Sequence, residues 1–186
     1  ATAGGVQYVA CAGNFKDAGL EYTGALKVLQ MIFSYEYLWI QIRVKGGAYG
    51  CMCSFSDQGD SMFVTYRDPN LSESYKVYDE AADYVADFDA DDRDMKKYII
   101  GTIGSMDMPM EAVDMGARSF HAYFLGKTEA DLQKVRDQVL SCTQEDIRAL
   151  APIVKAVVEA GNRCCIGNEE KIDQNKEYFD EVKHVL

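Results

Sequence analysis

The sequence predicts an α+β domain, a mainly antiparallel sheet with its helices packed on one face. Two observations carry that expectation. The alternating runs are few and partly hairpin-linked, and a long helical middle separates them from the last short strand, where a doubly wound parallel sheet would need regular alternation of strand and helix.

Each element has its own signal. Val6 to Ala10 alternates as a first strand, with Gly13 and Asn14 punctuating its end. Tyr22, Leu26, Leu29 and Phe33 then form one stripe, flanked by Ala25, Val28, Ile32, Trp39 and Ile42, so residues 24–43 read as a helix with a broad buried face. Gly46 and Gly47 stop it. Two alternating runs, Tyr49 to Phe55 and Met62 to Tyr66, flank Ser56-Asp57-Gln58-Gly59-Asp60 and read as a hairpin. Asn70 is placed to cap the next helix, with Glu73 reaching back and Leu71, Tyr75, Tyr78, Ala82, Val85 and Phe88 on its buried stripe.

Shorter helices follow, opened by Asp91 or Asp92, by Pro109, by Thr128 and by Thr143, with Gly126 and Gly161 as stops. Pro152 should kink or divide the helical pattern around it. Arg163 to Ile166 fits a short strand, and Asn168 can cap a last helix carrying Ile172, Tyr178 or Phe179, and Val182.

Composition narrows the function classes. At 186 residues the chain suits one domain, residues 1–186, and 48% hydrophobic residues are enough to bury a full core. Thirty acidic against nineteen basic residues give a formal charge of -11, which opposes binding to a nucleic acid because no counterion release would be gained. No run of about 18 apolar residues is present to span a membrane, and the small-residue start, Ala1 to Val6, lacks the basic and apolar regions of a signal peptide. That abrupt start suits a domain cut from a longer protein. The six cysteines match neither a disulfide scaffold nor a zinc knuckle and read as reduced thiols, with Cys51 and Cys53 sharing one face of a strand.

The candidate sites are few. Zinc hydrolysis needs two or three side-chain ligands and a base, yet the two histidines, His121 and His184, lie far apart, and neither falls in HxxEH or HExxH. His121 reads as a packed or surface residue. The carboxylates Asp91, Asp92 and Asp94 sit at a helix start, where they favour the positive end of the dipole. Lys45 to Gly50 is glycine-rich, but it lacks the phosphate-loop pattern and follows a helix, so nucleotide-dependent stabilisation is not expected.

The remaining constellation is Arg43 and Tyr49, joined through the glycine doublet. A guanidinium can hold a peptide carbonyl or carboxylate with directed donors, and a phenol can donate to the oxygen that becomes negative in a tetrahedral intermediate. Such groups supply no nucleophile. They assist one generated elsewhere.

Arg43 through Gly50 and Tyr66-Arg67-Asp68-Pro69-Asn70-Leu71, together with Tyr22 to Leu26, Tyr37 to Trp39, Lys97 to Ile103 and Ile166 to Glu169, resemble the last domain of the insulinase (pitrilysin) family of zinc metallopeptidases, in its presequence-protease branch. The resemblance implies a longer polypeptide of four related α+β domains, whose two bowl-like halves close around an unstructured peptide. It implies zinc as cofactor, bound through HxxEH in the N-terminal half, with no metal ligand carried over here and no activity for this domain alone. Arg43 and Tyr49 match residues that contact substrate backbone and transition state, and Lys45 is a further substrate contact. Arg67, Asp68 and Asn70 match as structural residues of a turn. The setting implied is cytoplasmic in a bacterium or an organelle matrix in a eukaryote. The rival reading is a non-catalytic binding subunit that kept the fold.

Overall fold

The computed structural model describes residues 5–184, so part of the small-residue start lies outside the described residues. Four strands, β1 (Tyr8–Asn14), β2 (Gly50–Phe55), β3 (Asp60–Tyr66) and β4 (Asn162–Ile166), form one sheet in the order β2-β3-β1-β4. Every pairing is antiparallel, with Ala10 opposite both Val64 and Cys164, and Cys53 opposite Phe63. Alternation decides the faces. Val9, Cys11, Cys53, Phe55 and Phe63 point into the core, whereas Tyr8, Met52, Met62, Tyr66 and Ile166 stand exposed on the other side.

The helices cover the first of those faces. They are α1 (Ala25–Ile32), α2 (Ser72–Asp79), α3 (Ala81–Ala86), α4 (Asp92–Met106), α5 (Ala112–Phe124), α6 (Glu129–Leu140), α7 (Gln144–Arg148), α8 (Ala151–Glu159) and α9 (Glu169–Gln174). The core centres on Phe33, which meets Phe55, Phe63 and Tyr37 within 6.4 Å between ring centroids. Tyr75 and Tyr78 are buried beneath β1 and β4. Each spends its hydroxyl on a strand carbonyl, that of Cys164 and of Val9 respectively, so the phenols enter the core without an unpaired polar atom.

The hairpin, β4 and four of the helix starts lie where the sequence places them. Asp91, Thr128, Thr143 and Asn168 each accept a backbone amide at a helix start, the two threonines in full capping boxes with Asp131 and Asp146. Pro152 occupies the first turn of α8 and divides it from α7.

Several boundaries differ from expectation. β1 begins at Tyr8 and continues through Gly13 to Asn14, which pair with Ser61 and Asp60; glycine at 13 marks a close passage under α8, where a side chain would lie 2.5 Å from the Val157 carbonyl. The helix read over 24–43 is regular only to Ile32 and continues as two π-helical segments, Phe33–Tyr37 and Trp39–Lys45. Ser34 accounts for the place of the change, since its hydroxyl donates back to the Gln30 carbonyl at 2.7 Å and competes with the helical ladder there. The helix after the hairpin is split at Glu80 into α2 and α3. The helix opened by Pro109 starts later, at Ala112, with Glu111 before it. The final helix stops at Gln174; Tyr178 and Phe179 then pack on Tyr75 from a 3-10 turn and the chain after it.

Candidate functional site at the glycine junction

The π-helical segment Trp39–Lys45 ends where Gly46 is still helical and Gly47 turns to φ 80, a left-handed conformation that a side chain would resist. The Gly47 amide closes on the Arg43 carbonyl at 3.1 Å and the Ala48 amide on that of Ile42 at 3.1 Å. Ala48 is buried, which throws Tyr49 outward at the start of β2. Within six residues the chain thus presents two side chains from different elements to one place. The Arg43 guanidinium carbon lies 5.4 Å from the centre of the Tyr49 ring and 4.7 Å from that of Trp39.

Both functional groups are available. Tyr49 is 63% exposed, and among the described residues its hydroxyl has no hydrogen-bond partner and Arg43 no carboxylate. The guanidinium rests on aromatic faces, an arrangement that orients it without consuming its N–H donors. Its charge also reaches the Cys51 thiol, which burial nevertheless pushes up to about 11. Lys45 stands apart from the pair, exposed, its ammonium donating to Gln41 Oε1 at 3.2 Å one turn earlier on the same helix.

The aromatic surroundings were not legible as a site. Trp39 was assigned to the buried stripe, yet it is 40% exposed because the widened turns rotate it out of the core, and it becomes the platform under Arg43. Tyr66 lies opposite Gly50, and its ring meets Tyr49 at 5.7 Å and Tyr8 at 5.4 Å. The spacing of Trp39 and Arg43, four apart on a helix, was the one signal that could have found the stack.

Asn70 does not cap a helix. The residue before α2 is Leu71, without a side-chain cap, and the Asn70 amide instead donates to the Gly46 carbonyl at 2.6 Å. Asp68, fully buried in the turn before the helix, accepts from the Asn70 backbone amide at 2.9 Å and from the Ser74 hydroxyl at 2.6 Å, which ties the turn to α2 without capping it. Glu73 does turn back: bonds from its own backbone amide hold its carboxyl below the usual range, helped by the Leu71 amide and Ser72 hydroxyl.

The two histidines do not assemble a metal centre. His121 is exposed on α5, and His184 lies 3.6 Å from Glu169. Among the described residues no three His, Cys, Asp or Glu side chains stand together as metal ligands, so the residues here do not fit zinc. A cleft of about 710 Å³ opens elsewhere, lined by Lys27, Asp57, Arg118 and Lys127 among others, and neither Arg43 nor Tyr49 borders it. Among the described residues no helix is long and apolar enough to cross a membrane.

Comparison with known proteins bears on the family and the fold. Protein HypA of Clostridium perfringens is 43% identical over 185 residues, all of this chain but 19% of that protein's length. Presequence protease 1, chloroplastic/mitochondrial, of Arabidopsis thaliana is 34% identical over 185 residues, covering 97% of this chain and 17% of its own. The chain therefore spans about a fifth of the length of these relatives. In structure, a candidate zinc protease from Bordetella pertussis Tohama I superposes with a TM-score of 0.64 at 15% identity, covering 87% of this chain and 92% of that one, which establishes the shared fold. Residues 2–168 match the family model described as the PreP C-terminal domain, and the chain belongs to that family.

Proposed function

We propose that this chain is the C-terminal chamber domain of a zinc-dependent endopeptidase acting on unstructured peptides, and that Arg43 and Tyr49 are its contribution to catalysis. The observation that carries this reading is the pairing itself. Among the described residues, a guanidinium with no carboxylate partner and a phenol with no hydrogen-bond partner stand side by side at the rim of an exposed sheet face. Membership of the PreP C-terminal domain family and a relative named as a presequence protease support it.

In this reading the guanidinium holds the carbonyl or carboxylate of an extended peptide, using directed donors that its aromatic platform leaves free. The Tyr49 hydroxyl donates to the carbonyl oxygen of the scissile bond as negative charge develops there, so its interaction strengthens toward the transition state. Lys45, exposed at the end of the same helix, adds a peripheral contact to the peptide. In this reading zinc and the general base belong to the N-terminal half of the same longer polypeptide, which is consistent with the lack of a ligand cluster among the described residues. The exposed row of Tyr8, Tyr66 and Met62 supplies an apolar wall along which an unfolded chain can lie. The relative's chloroplastic or mitochondrial name fits an organelle matrix for a eukaryotic parent and a cytoplasmic setting for a bacterial one.

The test is Arg43→Lys in the full-length polypeptide, assayed on an unstructured peptide. Lysine keeps the charge and loses the fork, so kcat/KM should fall by about tenfold or more. Equal kcat/KM values would contradict the reading and favour a non-catalytic binding role.

A further inference from the structure

The turn after β3 is built with more hydrogen bonds than a connection needs. Arg67 occupies φ 48, a left-handed conformation that is strained for a non-glycine residue and persists only where its surroundings dictate it. The surroundings do dictate it. Gln7 and Asp68 exchange both backbone bonds, at 2.7 and 2.8 Å, and the Pro69 carbonyl accepts from the Gln7 side chain and from the Lys171 ammonium. Asp68, without solvent contact, fixes the next two anchor points, the Asn70 amide and the Ser74 hydroxyl.

All of this bracing is delivered to the glycine junction through two bonds. The Arg67 carbonyl accepts from the Tyr49 amide at 3.2 Å, and the Asn70 side chain donates to the Gly46 carbonyl at 2.6 Å. Gly46 and Gly47 are the two residues with the least conformational preference between Arg43 and Tyr49. The Gly47 and Ala48 amides close the helix end on the Arg43 and Ile42 carbonyls, and the Asn70 bond is what ties that closed end to the turn after β3. Asn70 lies two residues before Ser72, the first residue of α2, and its side chain turns away from that helix to the Gly46 carbonyl.

Resting on the reading of Arg43 and Tyr49 as the substrate-facing pair, we infer that Asn70 is a positioning residue, holding the Gly46–Gly47 break in the geometry that brings Arg43 and Tyr49 to one substrate. Asn70 touches neither substrate nor reacting atoms. It acts through the Gly46 carbonyl, with Asp68 holding its backbone.

The experiment is a double-mutant cycle in the full-length peptidase with an unstructured peptide as substrate. Asn70→Asp preserves shape but sets a carboxylate against the Gly46 carbonyl; Asn70→Ser, shorter and milder, serves if the first variant fails to fold. With Tyr49 present, either replacement should lower kcat about tenfold or more while KM stays within about twofold, since misplacing a catalytic group by about 1 Å can cost up to a hundredfold. In a Tyr49→Phe background the same replacement should cost several-fold less, because one of the two groups being positioned is already gone. A structural role alone predicts the same loss in both backgrounds, and that result overturns the inference, as does an unchanged kcat. Full turnover of the Tyr49→Phe single variant would overturn the reading of the pair itself and the inference with it; a crippled Tyr49→Phe beside a silent Asn70→Asp removes only the positioning role.

Discussion

The glycine junction and α5 are opposites built in one chain. At the turn that braces the junction, side chains from the residue before β1, from the turn itself, from α2 and from α9 converge, and buried Asp68, Gln7 and Ser74 satisfy one another or the backbone. In α5, none of the thirteen residues is buried, although the helix is amphipathic, and among the described residues its Phe and Tyr rings stack only on one another, Phe120 meeting Phe124 at 4.7 Å. An apolar stripe predicts that a helix forms, and it does not say that the same chain covers it. Local stability should follow the same division, high where bonds are buried and low where the helix is held by its own ladder.

Breaking the core beneath the junction should have the largest effect. Phe63 is fully buried among Phe33, Phe55 and Tyr78, so Phe63→Ala should lower unfolding free energy by about 3–5 kcal/mol in denaturant titration. Asp68→Ala strands the Asn70 amide and the Ser74 hydroxyl and should cost about 1–3 kcal/mol by the same measurement.

Alkaline pH gives a smaller, graded test. Burial pushes the Cys11 thiol up to about 11 and Cys142 and Cys165 up to about 12, from an ordinary value near 9. The unfolded chain therefore releases these protons first, so stability present below pH 9 is lost progressively between about 9 and 12, and the thermal midpoint should fall across that window. Cys164, exposed on β4, should alkylate at pH 8 well before the others. The smallest effect belongs to α5, where Tyr123→Ser should change stability by no more than about 0.5 kcal/mol. A loss as large as that of Phe63→Ala would erase the contrast between the two regions.

How much of this was legible follows from how local each signal is. Thr128 and Thr143 announce capping boxes within four residues, and the hairpin is written in the alternation on either side of Gly59, so both were readable. Asn70 was misread because its competing partner, the Gly46 carbonyl, is 24 residues away in sequence and near only after folding. Trp39 was misread because a stripe drawn at 3.6 residues per turn drifts off register once the turns widen. The Arg43 and Tyr49 pairing was readable because the glycine doublet between them is short; Tyr66 and Tyr8, brought beside Tyr49 by strand pairing, were not.

The account depends on the Tyr49 hydroxyl acting on charge that exists only during reaction. Steady-state kinetics of Tyr49→Phe in the full-length polypeptide test this most directly, since the ring and its contact with Arg43 remain while the hydroxyl is removed. The predicted result is a fall in kcat on the order of a hundredfold with KM nearly unchanged. A kcat equal to that of the unmodified enzyme would contradict it.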